Sequence, residues 1–234
     1  MKTFSELYND ALQQADMKSG DGSADAKTMI KAGINESYAE IAGIKDWKTL
    51  ENSTTVSTVS GTIEYTPITS SSSVPRIRRI QSVLDLTNNR YLEETKREIF
   101  EKIYPNPSET GGPTTWIMSG YDSNRDMKIK LYPIPNSVLS LKVIFTEEPL
   151  ELSNDVDQPR IPDQFHYGLT YLGLAKYFEF EKDPIANYYR TLHDQYKQKI
   201  LDIEWGESDE MPQFNLQDNN RPIVTGKIGR VWNR

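Results

Sequence analysis

The chain has no cysteine. That excludes disulfides, thiolate metal sites and a cysteine nucleophile together, and it leaves the redox compartment open. Histidine is almost as scarce, with only His166 and His193 among 234 residues. Long apolar runs are missing as well. The longest, Tyr167 to Ala175, is bounded by His166 and Lys176 and falls far short of the ~20 residues that span a membrane. The first stretch, MKTFSELYNDALQQ, has no apolar segment after Lys2, so no secretory leader is expected and the protein is expected to stay in the cytosol that makes it. No G-x-S-x-G, no G-x-x-x-x-G-K-[ST] and no H-E-x-x-H occurs, which removes the esterase elbow, the phosphate loop and the common zinc motif.

What is present suits a folded, soluble protein: 36 % hydrophobic and 26 % charged residues, in a chain long enough for one sizeable domain or a small domain with an insertion. Net charge is −7, but it is unevenly spread. Beyond Met211, Asp218 stands against Arg221, Lys227, Arg230 and Arg234, about +3, so the remainder carries about −10. An acidic body does not attract nucleic acid by counterion release. A basic tail on such a body reads either as a docking arm for an acidic or polar partner or as a solvated terminus.

Periodicity orders the elements. Phe4, Leu7, Tyr8, Ala11 and Ala15 predict a helix over 4–17, and Ile30, Ile34, Tyr38, Ile41 and Ala42 a second over 26–44, with a flexible turn, KSGDGSADAK, between them. At Trp47 the texture changes. WKTLENSTTVSTVSGTIEYTPI is rich in Thr, Val and Ser, and Ser60-Gly61 reads as a hairpin turn between two short strands. RIRRIQSVLDL alternates only loosely. A short helix is expected over 95–104, ended by Pro105 and Pro107. Strands follow at 114–118, 128–132 and 140–145, the last with Leu141, Val143 and Phe145 on one face.

Helix returns after Pro162, with two apolar stripes (Phe165, Leu169, Leu172 and Tyr167, Tyr171, Leu174, Phe178) that predict burial on both sides. Asp183-Pro184 restarts a final helix running to about Trp205. Past GESDEMP periodicity is lost. The expected architecture is therefore α+β: residues 1–46 and 159–206 give an antiparallel helical bundle, 47–152 an inserted, mostly antiparallel β region, and 207–234 an extended C-terminal arm.

The chemistry that two histidines could support is thin. A triad needs a base oriented by an acid and facing a nucleophile, and both histidines fall on long helices with no nucleophile motif nearby. His166 lies one turn after Pro162, between the stripes, and reads as a structural or interfacial group that caps backbone or pairs across an interface. SNDVDQ, Ser153 to Gln158, lacks the glycine and closing glutamate of a calcium loop. Glu93-Glu94 and Glu147-Glu148 read as solvated pairs rather than acid–base couples. No catalytic, cofactor or metal site is expected.

Three stretches, taken in order, resemble one family. Trp47 to Pro67, with its tryptophan, strand and GT-x-x-Y ending in Tyr65, then KLYPIPN followed by LSLKVIFTEEPLEL, then PRIPDQFHYGLTYLGLAKYF with its IP-x-x-F-H, are similar to bacteriophage head–tail adaptor (connector ring) proteins. The element order over about residues 27–205 also resembles tail tubular A proteins of short-tailed phages. The resemblance implies a structural virion protein in the neck, a ring (dodecameric in kind) beneath the portal protein, with tail or nozzle proteins attached below. DNA would pass through without specific binding, and no membrane is involved. It also implies that the arm reaches the portal, with Phe214, Ile223, Val224, Ile228, Val231 and Trp232 as anchors beside the cations Arg221, Lys227 and Arg230. Trp47, Tyr65, Pro162 and His166 become its structural or interface positions.

Two other classes stay open on the sequence. One is a monomeric carbohydrate- or peptide-binding module with Trp116, Tyr121 and Tyr132 as a platform. The other is a hydrolase using His166 or His193. For an adaptor, the free protein is expected to be a monomer or weak oligomer that closes into a ring only on its template.

Overall fold

The computed structural model describes residues 1–15, 24–71, 73–104 and 108–206, together with 214–215 and 223–224. Most of the expected turn after the first helix, Pro105, Pro107 and most of the arm lie outside the described residues. The chain divides into a compact unit Met1–Lys197 and a second unit Gln198–Arg234.

Helix α1, Phe4–Gln14, starts on a full capping box: Thr3 Oγ1 accepts from the Glu6 amide, and the Glu6 carboxylate accepts from the Thr3 amide. The next two free amides, Phe4 and Ser5, donate to the carbonyls of Asp157 and Asp155 at 2.7 and 3.1 Å. The SNDVDQ stretch thus caps a helix, its Asp157 carboxylate spent on the amides of Ser153 and Asn154. Helix α2, Ala24–Ile44, buries Ile30, Ile34, Tyr38, Ile41 and Ala42, the stripe read from sequence.

The β region comprises β1 (Glu51–Ser57), β2 (Glu64–Tyr65), β3 (Ile77–Asp85), β4 (Arg90–Glu94), helix α3 (Arg97–Ile103), β5 (Thr110–Gly111), β6 (Thr115–Tyr121), β7 (Met127–Tyr132), β8 (Ile134–Pro135) and β9 (Ser140–Glu147). Seven strands form one sheet in the order β1-β9-β3-β4-β6-β7-β2, while β5 and β8 pair separately. Every neighbour in the large sheet is antiparallel except β4 and β6, which α3 bridges.

Ser60-Gly61 does turn, with Gly61 at φ +80°, but it joins no hairpin. β1 pairs with β9 and β2 with β7, so the turn links the two opposite edges of the sheet. In a flat sheet those edges would stand six interstrand spacings, roughly 29 Å, apart. The connection is residues 58–63, folded by a Thr62-to-Val59 turn, and cannot reach that far extended backbone. The sheet therefore rolls up into an open barrel, with β1 and β2 as its two unjoined edges. Inside it, Ile80, Val83, Trp116, Ile129, Leu131, Leu141, Val143 and Phe145 share one core with Tyr65 and Leu92. On the outside, α3 lays Phe100 over Ile117 and Tyr132.

Two bulges explain the loose alternation of β3. Register shifts between Ile77 and Arg79 and between Ile80 and Ser82 each add a residue, so Ile77, Ile80 and Val83 all face inward at a spacing of three.

Helix α4, His166–Phe180, follows a 3-10 turn opened by Pro162, and α5, Ala186–Gly206, follows Asp183, whose carboxylate accepts from the Ile185 amide at 2.9 Å. α1, α2 and α4 pack on one another. The α2–α4 contact is backbone to backbone: a Cβ on Gly33 would sit 2.6 Å from Gly173 Cα, and one on Gly173 would sit 2.9 Å from the Ile30 carbonyl. The second stripe of α4 is less covered than its apolarity predicts. Leu174 is buried, but Tyr167 is half exposed, covered only in part by Lys2 lying over its ring. In the second unit, Phe214–Asn215 (β10) pairs antiparallel with Ile223–Val224 (β11).

Candidate interaction surfaces

His166 is 1 % exposed; its Nε2 donates to the Ile161 carbonyl at 3.0 Å, and its Nδ1 accepts from the Lys2 amide at 3.4 Å. Both ring nitrogens are used to hold the entry to α4 against the start of the chain. His193 is equally committed. Nδ1 faces the Gly168 carbonyl (3.2 Å) and Ser37 Oγ (3.4 Å), and Nε2 faces Glu40 at 3.2 Å.

Ser37, His193 and Glu40 make the residue set of a hydrolytic triad, but Ser37 is fully buried at the α2–α4 crossing and also contacts the Gly168 carbonyl. No substrate reaches a hydroxyl in that position. The set ties three helices together. Burial would raise the Glu40 carboxyl; Lys197 and His193 outweigh it and hold the group below the usual carboxylate range.

The junction between helices and barrel is polar. Arg78 of β3 reaches the last turn of α2 and donates to the carbonyls of Ala42 (2.6 Å), Gly43 (2.8 Å) and Lys45 (3.3 Å). A cation at orphan carbonyls satisfies them and complements the helix dipole. Buried Glu147, at the end of β9, pairs with Arg160 and accepts from Asn52 at 3.1 Å. Asn35 acts as a short strand: its amide exchanges both hydrogen bonds with the backbone of Leu152, at 2.9 and 3.0 Å. None of these three was visible as a motif, since Arg78 and Asn35 find partners more than 30 positions away and Glu147 joins Arg160, 13 positions on, to Asn52, 95 positions back.

Around the barrel, the aromatics considered as a ligand platform do not share a surface. Trp116 is in the barrel core, Tyr132 is under α3, and only Tyr121 is exposed. Burial, then the Glu109 carboxylate that accepts its hydroxyl at 2.9 Å, pushes Tyr132 up to about 12. One end of the barrel is different. There the loops at 58–62, 86–89 and 136–139 are bonded together and expose Val59, Leu86 and Val138.

Over residues 2–217 the chain matches the sequence profile of a family described as SU10 adaptor protein. The chain belongs to this family. It is a bacteriophage head–tail adaptor, a structural protein. No curated protein matches it.

The adaptor's sequence-predicted positions separate into two groups. Trp47 is buried between α2 and the 3-10 turn, donating to the Ile41 carbonyl at 3.1 Å and packing on Phe165 at 5.3 Å. Tyr65 puts its hydroxyl among Val59 and Thr62 and fixes the loop that joins the sheet edges. Pro162 and His166 organise the entry to α4. The structure does not bring Tyr65 together with the other three, which share the α2–α4 side. Arg221, Lys227, Ile228, Arg230, Val231 and Trp232 lie outside the described residues, while Phe214, Ile223 and Val224 belong to β10 and β11.

Proposed function

We propose that this adaptor assembles as a ring, dodecameric by resemblance, beneath the portal protein, extends and seals the DNA channel, and offers the surface on which tail or nozzle proteins attach. In this reading the helices from the two ends of the sequence form an antiparallel bundle that carries the barrel, and the basic arm, 207–234, orders along the portal. The observation that carries the reading is the family match across nearly the whole chain, 2–217. Three further observations support it. The two buried histidines, His166 and His193, have both ring nitrogens engaged by the fold, which leaves function to surfaces. The arm's spaced apolar residues and cations have too little apolar surface for a core of their own but suit ordering on a partner. The acidic remainder of the chain suits a channel whose wall repels phosphate and lets DNA slide.

Truncation before Gln213 tests the reading. The shortened protein is expected to keep its melting temperature and lose portal binding in co-sedimentation. Retained binding overturns the role of the arm, and an assembled ring with a strongly basic lumen overturns the sliding channel.

A further inference from the structure

β1 is an edge strand of seven residues, and its outer side pairs with no other strand among the described residues. Which backbone groups it leaves open follows from one hydrogen bond. The Thr58 amide donates to the Leu139 carbonyl at 2.9 Å, so position 58 faces β9. Bonded and non-bonded positions alternate along an antiparallel pair. Asn52, Thr54 and Val56 therefore also face β9, and the backbone of Ser53, Thr55 and Ser57 points outward. Ser53 is satisfied locally, its amide donating to Asn52 Oδ1 at 2.8 Å. For the backbone amides of Thr55 and Ser57 no partner exists among the described residues.

Natural proteins shield such an edge with charge, proline or a covering segment. Here Asn52 to Ile63 contains no charged residue and no proline, in a chain that is 26 % charged. The same neutrality continues over 86–89 and 133–141, which include the exposed Leu86 and Val138 at that end of the barrel. The loops there are held in place: Leu86 donates to the Ser140 carbonyl at 2.8 Å, and Thr58 Oγ1 donates to the Ser137 carbonyl at 2.9 Å.

We propose that β1 is a strand-addition site, on which an extended, uncharged segment of the tail-side protein pairs with Thr55 and Ser57 while its apolar side chains cover Val59 and Val138. Only another strand can offer acceptors and donors at the spacing of an open edge. A nucleic acid would need a cluster of cations, whereas residues 52–63 have none and Lys142, opposite Thr55 on β9, is the one cation paired with the strand. A second copy of this chain fits poorly. The opposite edge, β2, is two residues long, and β1 on β1 is a self-complementary contact that closes a pair of molecules rather than a ring. The portal is already engaged by the arm in the reading above, on which this inference rests.

Hydrogen exchange read at single residues tests it in three preparations: the free protein, the adaptor bound to portal, and complete tailed particles. The Thr55 and Ser57 amides are expected to exchange fast in the first two and at least 100-fold more slowly in the third, while Thr54 and Val56 stay protected throughout. Slowing that already appears on the portal overturns the tail-side occupant in favour of the portal or a neighbouring copy. Tails attached with both amides still fast overturn strand addition and leave the adaptor reading standing. Absence of any portal-bound adaptor overturns the underlying reading instead.

Thr55→Pro gives an independent arm. Its missing amide belongs to no ladder, so the free protein is expected to melt within a few degrees of wild type and to bind portal normally. Tail attachment is expected to fall more than 10-fold. Unchanged attachment overturns the proposal. If the variant does not fold, the exchange result on the unmodified protein decides alone.

Discussion

The helices and the barrel of this adaptor are held together by opposite means. Where α2 crosses α4, two glycines bring the backbones into contact, and Ser37, Thr170 and His193 are buried close by. The barrel interior is instead filled by large apolar side chains, with Phe145, Leu131 and Ile129 among the fully buried. A core of side chains loses stability by the volume removed, because neighbours relax only partly into the gap. A backbone contact has nothing to relax and fails when volume is added. The barrel should therefore be sensitive to subtraction and the helices to addition.

The largest test of that contrast is Phe145→Ala, which is expected to cost about 3–5 kcal/mol in denaturant unfolding. A cost below 1 kcal/mol would mean the barrel core is loosely filled and would erase the comparison. Next comes a pair of glycine substitutions in the helices. Alanine is intrinsically better than glycine in a helix by about 1 kcal/mol. At Gly43, where an added Cβ meets nothing within 4 Å, that gain should appear almost whole. At Gly173 the same methyl meets the Ile30 carbonyl at 2.9 Å, and the two helices must part. Gly173→Ala is expected to destabilise by about 1–3 kcal/mol despite the propensity gain. Equal and favourable effects at both sites would show that the crossing is slack.

Those glycines also mark where the sequence could have been read further. A glycine inside a helix weakens it, so Gly33, Gly168 and Gly173 within two strongly apolar stretches were a signal of close approach. Gly168 does lie against the ring of Tyr196. Leu141, Val143 and Phe145 were legible because β9 is regular, whereas β3 hid its face behind two bulges. The turn at Ser60-Gly61 was legible and its partner strands were not, since local residues fix a turn while the rolled sheet decides what it joins. The basic character of residues 212–234 could be read from composition. The neutral edge of β1 could not, because an open edge is a property of strand order.

The smallest expected effect probes the polar side of the helix crossing. Glu40 is held below its ordinary value of 4.5: burial works against the charged form, and the Lys197 ammonium and His193 outweigh it. A carboxyl whose pKa is lower folded than unfolded contributes stability that is fully present above the unfolded value and is lost as pH falls through the folded one. Between neutral pH and about 4.5 the contribution is constant, and below 4.5 it drains away. Because Glu40 is partly solvent-screened, the whole amount is about 0.5 kcal/mol or less. Glu40→Gln removes the titration but keeps an acceptor for Lys197 and His193, so its stability should fall less steeply than wild type below pH 4.5 and differ little in slope from pH 5 to 6. An acid limb identical in the two proteins would place the pH sensitivity of the adaptor elsewhere. The junction between helices and barrel offers a rival site, buried Glu147 with its Arg160, and Glu147→Gln measured alongside tells which of the two sites gives way first in acid.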